Sequence, residues 1–417
     1  RIEQQLDNGL MGLSETLLEN ISPASLQATP SKAIVQFSFL PGDSEKKKVM
    51  LTTEDFLQSP PVGSERTKCQ FSIEKNQLVY PLSVKSIYQK AVQNNHYELT
   101  LSLVVDAGSS DFSMSCLNLY FNGDLEQRLS WLYALLEQCD VITMAYKGKK
   151  YPIKSQHLSL NETSLKSSDP FGIELLKDYF SFRDKFMFVE LTELPKVVFS
   201  KGEQIDFVFR IKEPINDEYL TKKDAVLLAC MPTINVFNYT AEPSVYDTER
   251  HSSPLILDAN QRKSICLQSI TDISSPYAIE NKLEYCSFSA YQKNKKNSIY
   301  YRVERQRSLS QAHHLILSGT HATTKQCLTI SAKACNGTYP RKHLSTHSLS
   351  LLSSTKKVTL AATNITRPTE YFPALDNQQY YWRLLGMLSE NYKNLSDRAQ
   401  LQELMHAHDQ HNHYQGK

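Results

Sequence analysis

Asp178 and Asp184, six residues apart in a stretch crowded with aromatic rings, are the carboxylates of this chain that could be imagined as an acid/base pair. No residue of the stretch is an obvious catalyst, and surface carboxylates are the far commoner case. His313-His314 and His321 lie close in sequence without a Cys or carboxylate at ligand spacing, so they read as structural histidines. The tail carries His406, His408, His411 and His413, of which His406 and His413 would share a face two turns apart on a helix. Histidine tracts can bind metal, yet a polar frayed terminus accounts for these more simply. A P-loop, a G-x-G-x-x-G turn, a G-x-S-x-G elbow and H-E-x-x-H are all absent from the sequence, and 13 glycines leave little material for phosphate-cradling loops. The residues therefore predict no cofactor, no metal and no catalytic step.

The cysteines, Cys69, Cys116, Cys139, Cys230, Cys266, Cys286, Cys327 and Cys335, include no C-x-x-C pair. Several lie in apolar runs, where a thiol behaves as a small hydrophobe, and this favours a reducing, cytoplasmic location. Asn-x-Ser/Thr triplets at Asn20, Asn161, Asn238, Asn336, Asn364 and Asn394 keep a secreted adhesin or carbohydrate-binding reading open. The net charge of +2 exerts no strong pull toward nucleic acid or an anionic membrane. Lys46-Lys47-Lys48 and the Lys293 to Lys296 cluster read as solvated loops. The longest charge-free window, Ala225 to Ala241, contains Pro232 and Asn235 and is no membrane span.

These candidates must be positioned by a frame larger than one core usually supports, since the chain has 417 residues. Its centre is Gly172 to Leu191, which Asp169-Pro170 opens as a helix start. Leu175, Leu176, Tyr179 and Phe180 recur at helical spacing, then Phe186, Phe188 and Leu191 suggest a strand with Met187 and Val189 on its other face. Core packing accounts for the rings here better than a binding face does.

Alternation predicts strands at Ala33 to Phe39, Val49 to Leu51, Cys69 to Ile73, Leu78 to Leu82, Tyr97 to Val105, Leu117 to Phe121, Val141 to Ala145 and Tyr151 to Ile153. Between Leu117 to Phe121 and Val141 to Ala145, Asp124 caps a helix with Gln127 as capping-box partner and Leu125, Leu129, Leu132, Leu135, Leu136 and Cys139 as its apolar stripe. Further on, Ile205 to Ile211 and the apolar run Ala225 to Met231 read as strands, the second fully buried. Strand-like segments continue to Ala361. Helical patterns stand at both ends, with Leu6, Leu10, Leu13, Leu17 and Leu18 on one face at the start and Tyr381, Leu384, Leu385 and Leu388 near the finish. The expected class is α+β, with mostly antiparallel β-rich domains between helical end segments. The expected divisions are residues 1–30, 31–168, 169–370 and 371–417, with the polar run from Ser155 to Asp169 as a boundary.

Several short blocks follow one another along the chain: Ala33-Ile34-Val35-Gln36-Phe37, Leu119-Tyr120-Phe121-Asn122-Gly123-Asp124, the Leu175 to Phe186 stretch, Asn235-Val236-Phe237 with Ala241-Glu242-Pro243, Cys335-Asn336-Gly337 with Pro340, Thr366-Arg367-Pro368-Thr369 and Trp382-Arg383-Leu384-Leu385. In that order they resemble the TssF (VasA/ImpG) family of type VI secretion systems. The sequence departs from the family pattern at Asp184, where a Pro-Glu pair is usual. The resemblance implies a cytoplasmic structural protein of the baseplate wedge with no enzymatic step. It implies TssG, a second TssF copy and TssK as partners, contacts to TssE and the VgrG spike, and family members that extend further at both ends. Apolar residues that would meet those partners are Leu10, Leu13, Leu17, Phe180, Phe182, Trp382 and Leu385.

Overall fold

The computed structural model describes residues 27–40, 48–92, 96–106, 108–161, 173–222, 224–246, 252–288, 297–305, 313–318, 325–352, 360–374 and 402. Most of the expected helical end segments, the tail histidines, His321, the Asp169-Pro170 helix start, Lys46-Lys47 and the Lys293 to Lys296 cluster lie outside these residues. Where the two ends do enter the described part they meet: Thr29 and Phe372 exchange backbone hydrogen bonds of 2.8 and 3.0 Å.

The described residues are mostly antiparallel β-structure, with a few helices set among the strands. A five-stranded sheet runs in the order Lys149–Ile153, Cys139–Tyr146, Gln204–Ile211, His96–Val105, Leu82–Val92. Its inner face is what the alternation predicts, with Ile205, Phe207, Phe209 and Ile211 buried and the residues between them partly exposed. A four-stranded sheet of Leu158–Leu160, Phe188–Leu191, Leu117–Phe121 and Val226–Leu227 shares its core with the first. Residues before and after the polar run at 155–169 thus pair within the same sheets: Cys139–Tyr146 lies along Gln204–Ile211 and Leu117–Phe121 along Phe188–Leu191. The boundary expected near 168 falls inside this sandwich. Part of the polar run is itself a strand of the sheet, Leu158–Leu160, paired with Phe188–Leu191, so its polarity does not separate two cores.

Helix α1, Leu125–Leu136, closes the same core. Asp124 caps it as expected, accepting a hydrogen bond of 2.9 Å from the Gln127 N–H. Gln127 itself is buried and holds Lys222 Nζ through Oε1 at 2.9 Å, so it is not used as a capping-box partner. Its amide lies where a side chain on Gly123 would be, and Gly123 has φ of +126°, so only glycine fits there. The buried face carries Gln127, Trp131, Ala134 and Leu135, with Trp131 stacked on Phe121 at 5.6 Å. Leu125, Leu129 and Tyr133 are exposed, in a row four residues apart. The expected stripe is therefore turned: the indole, the largest apolar group of the helix, takes the core position and rotates two leucines out.

The third sheet has six strands, in the order Ser350–Leu352, Phe56–Val62, Thr67–Ile73, Cys230–Ile234, Lys32–Phe39, Leu360–Asn364. The run Ala225 to Met231 is not one strand. Val226–Leu227 pairs with the four-stranded sheet, Ala229 turns the chain with φ of +53°, and Cys230–Ile234 enters the six-stranded sheet. Its apolar composition reflects two adjoining cores. Beyond it, Phe237–Thr240, Ser244–Tyr246, Cys266–Ser274 and Gln326–Cys335 form a further sheet whose core they share with Ile299, Leu315 and Leu317.

Asn364 satisfies all four positions of its amide while fully buried. Oδ1 accepts from the Ser348 and Leu349 N–H groups at 2.8 and 3.0 Å, and Nδ2 donates to the carbonyls of Ser345 and Thr366 at 2.8 and 2.9 Å. Asn364→Ala strands these groups, at about 1–3 kcal/mol for each one left unpaired. We expect a clearly lower urea midpoint for the variant, measured by tryptophan fluorescence.

Candidate functional site

Strand Lys32–Phe39 is where the short sequence blocks converge. Ala33, Val35 and Phe37 face the core of the six-stranded sheet, whereas Ile34 faces a second cluster with Tyr120, Phe182, Met187, Phe188 and Cys230. From Lys32 to Val35 the strand is buried on both faces and has no solvent side on which to leave polar groups. Its backbone is met from the Thr366 to Thr369 block: the N–H groups of Ile34 and Lys32 donate to Thr366 Oγ1 at 2.8 Å and Thr369 Oγ1 at 2.9 Å.

The central stretch supplies the remaining partner. Helix α2, Ile173–Ser181, is followed by a 3-10 turn, Arg183–Phe186, and then by strand Phe188–Leu191. The strand thus starts two residues later than the spacing of Phe186 suggested, because Phe182 and Met187 turn inward at either end of the tight turn. Asp178 on α2 accepts hydrogen bonds from Lys32 Nζ and Lys185 Nζ, and Lys185 also reaches Glu74 at 3.9 Å. The Lys32 and Asp178 side chains are both 9% exposed. Burial by itself would raise the Asp178 pKa, but Lys32 and then Lys185 outweigh it and hold the carboxyl below its usual range. Asp184 pairs instead with Arg128 of α1. The two carboxylates therefore serve different cations and do not converge as an acid/base pair.

Phe180 is 5% and Phe182 2% exposed, so both rings expected at a partner surface are taken up within the folded chain. Tyr179, at 41%, is the ring of this stretch that faces outward, with the Arg183 guanidinium 5.5 Å over it and Phe186 at 6.0 Å. Leu10, Leu13, Leu17, Trp382 and Leu385 lie outside the described residues. The exposed row on α1 escaped the sequence reading, and the signal that would have found it is Trp131 competing with the leucines for the core.

A second polar centre joins the six-stranded sheet to its neighbour. Asn235 Nδ2 donates to Asn336 Oδ1 at 2.8 Å and to the Gln70 carbonyl at 2.7 Å, while the Asn336 N–H donates to Asn235 Oδ1 at 2.7 Å. Asn336 Nδ2 continues to the Ser264 carbonyl at 3.0 Å. His314 Nδ1 lies 3.3 Å from Ser252 Oγ. Among the described residues no group of His, Cys, Asp and Glu could hold a metal ion, and no helix is long and apolar enough to cross a membrane. The arrangement provides rigidity and an apolar outer row.

The sequence matches the model of the family described as Type VI secretion system, TssF, over residues 1–416. No curated protein matches it. Among solved structures it is similar to a chain of the type VI secretion system TssK-TssF-TssG baseplate subcomplex, revealed by cryo-electron microscopy, with 20% identity and a TM-score of 0.79. That match covers 98% of this chain and 79% of the other. It is also similar to a chain of the baseplate complex from the type VI secretion system, at 20% identity and a TM-score of 0.68, over 98% of this chain and 74% of that one. At that identity the likeness is one of fold.

Asp178→Asn leaves Lys32 buried without its counter-charge, a change that costs about 3–5 kcal/mol. Because the folded carboxyl titrates below its unfolded value of about 3.9, its contribution is complete above that pH and is lost as pH falls through the lower folded pKa. Urea unfolding should therefore show a gap between parent and variant that is constant near neutrality and closes below about pH 4.

Proposed function

The chain belongs to the type VI secretion system TssF family, and we propose from that membership that it acts as a structural subunit of the baseplate wedge. The match along residues 1–416 carries this reading, and the fold likeness to a chain of the TssK-TssF-TssG subcomplex supports it. TssG, TssK and a second TssF copy are its partners, with TssE and the VgrG spike as outer contacts. It turns over no substrate: Asp178 and Asp184 are engaged with cations of the chain itself. The cytoplasm is its compartment. All eight cysteines being free thiols fits that setting, as does the burial of Asn336 and Asn364, two of the triplet asparagines a secreted protein would offer for glycosylation.

Leu10, Leu13, Leu17, Trp382 and Leu385, in the end segments 1–30 and 371–417, are the partner-facing residues of this proposal. In the central stretch Tyr179 takes the role first given to Phe180 and Phe182, and the exposed Leu125, Leu129 and Tyr133 row adds a second apolar surface. Obligate assemblies bury large apolar interfaces, so such surfaces are poorly tolerated in an isolated chain. Purified alone, the protein should aggregate or oligomerise, and co-expression with TssG should yield a soluble complex by size-exclusion chromatography. Leu129→Glu combined with Tyr133→Glu leaves the buried face of α1 intact and should lower the recovered complex. A well-behaved monomer with no affinity for TssG would overturn the proposal.

A further inference from the structure

Cys266 and Cys335 begin and end their respective strands and stand directly opposite each other on the last rung of the Cys266–Ser274 and Gln326–Cys335 ladder. Residues opposed across an antiparallel pair project to the same face, and their Cα atoms lie about 4.5 or 5.5 Å apart depending on the rung. Both spacings fall within the roughly 4.4–6.8 Å that a disulfide spans without moving the backbone. Opposed at the end of the ladder, the two thiols act on each other's ionisation. Gly337 makes room for them: its φ is +52°, and a Cβ there would lie 2.9 Å from Cys266 Sγ. Cys335 is fully buried and Cys266 half-buried, so Cys266 is the more accessible residue of the pair.

We propose that Cys266 and Cys335 form a redox-active dithiol, a modification site that a small disulfide oxidant such as oxidised glutathione converts into an intrachain disulfide. Cys266, as thiolate, attacks one sulfur of oxidised glutathione, breaking its S–S bond and releasing one glutathione thiolate. Cys335 then gives up its proton and attacks the Cys266 sulfur of the mixed disulfide, releasing the second glutathione. The protein loses two electrons and two protons, and one oxidised glutathione becomes two reduced ones. The order of attack follows from the environment. Interaction with Cys335 holds the Cys266 pKa below the usual thiol value, while interaction with Cys266, together with burial, pushes Cys335 up. By contrast, burial pushes Cys69 and Cys139 up to about 12.

The pair sits in the joint between sheets. Asn336 follows Cys335, Ser264 precedes Cys266 by two residues, and both belong to the amide network that ties Gln70 to this sheet. A disulfide here would tie together the two neighbouring strands from which Ser264 and Asn336 reach that network.

The full chain, treated with oxidised glutathione, blocked with N-ethylmaleimide and digested, provides the test by mass spectrometry. The expected product is a linked pair of peptides containing Cys266 and Cys335, lighter by two hydrogen atoms than their sum and released by dithiothreitol. Full alkylation of both residues, glutathione retained on either one, or linkage of Cys266 to another cysteine would overturn the proposal. In Cys335→Ser, glutathione should remain on Cys266, and an unmodified Cys266 in that variant would equally contradict it.

Discussion

A strand whose first half has no solvent side sets the terms for the rest of this protein. Lys32 to Val35, at the start of Lys32–Phe39, are buried on both faces, so the polar groups there need partners from elsewhere in the chain. The lysine at its start is the most demanding of these. Asp178 answers it from 146 residues away, and Lys185 shares the same carboxylate. The Thr366 to Thr369 block answers the backbone from more than 330 residues away. These pairings add little net stability compared with apolar burial, but they fail badly if mispaired, and so they define one arrangement of α2 and the strand.

The Asn235 and Asn336 clasp extends the same logic across a joint. Its amides link Thr67–Ile73, Cys230–Ile234 and the end of Gln326–Cys335, with Ser264 donating onward to Glu65 at 2.6 Å. A subunit whose work is to hold neighbours in fixed positions needs joints of this kind. Apolar contacts alone would let two packed sheets slide, whereas directional hydrogen bonds in a dry setting fix their register.

Apolar groups are divided between inside and outside in a way that composition does not announce. The rings of the central stretch fill the cluster behind Ile34, and Tyr179 remains at the surface. On α1 a tryptophan goes in and a row of two leucines and a tyrosine stays out. An exposed row of this kind on a helix already anchored by its other face is suited to meeting another surface.

Much was legible from the sequence because it is local. Alternation placed Leu117–Phe121 and the core of Gln204–Ile211, Asp124 announced the start of α1, and the order of short blocks pointed to the family. Periodicity reports which residues share a face, but not which face finds a neighbour. That is why the stripe of α1 was misassigned, and why Ala225 to Met231 looked like one strand although it serves two sheets. Asn336 and Asn364 stand in glycosylation triplets and Asn235 in a short family block, and only the folded chain makes them buried hydrogen-bond centres. The sequence by itself determined the strands, the cap and the kinship. The tertiary structure decided the partners, because a buried polar group is satisfied by residues tens to hundreds of positions away, and no local pattern encodes that distance.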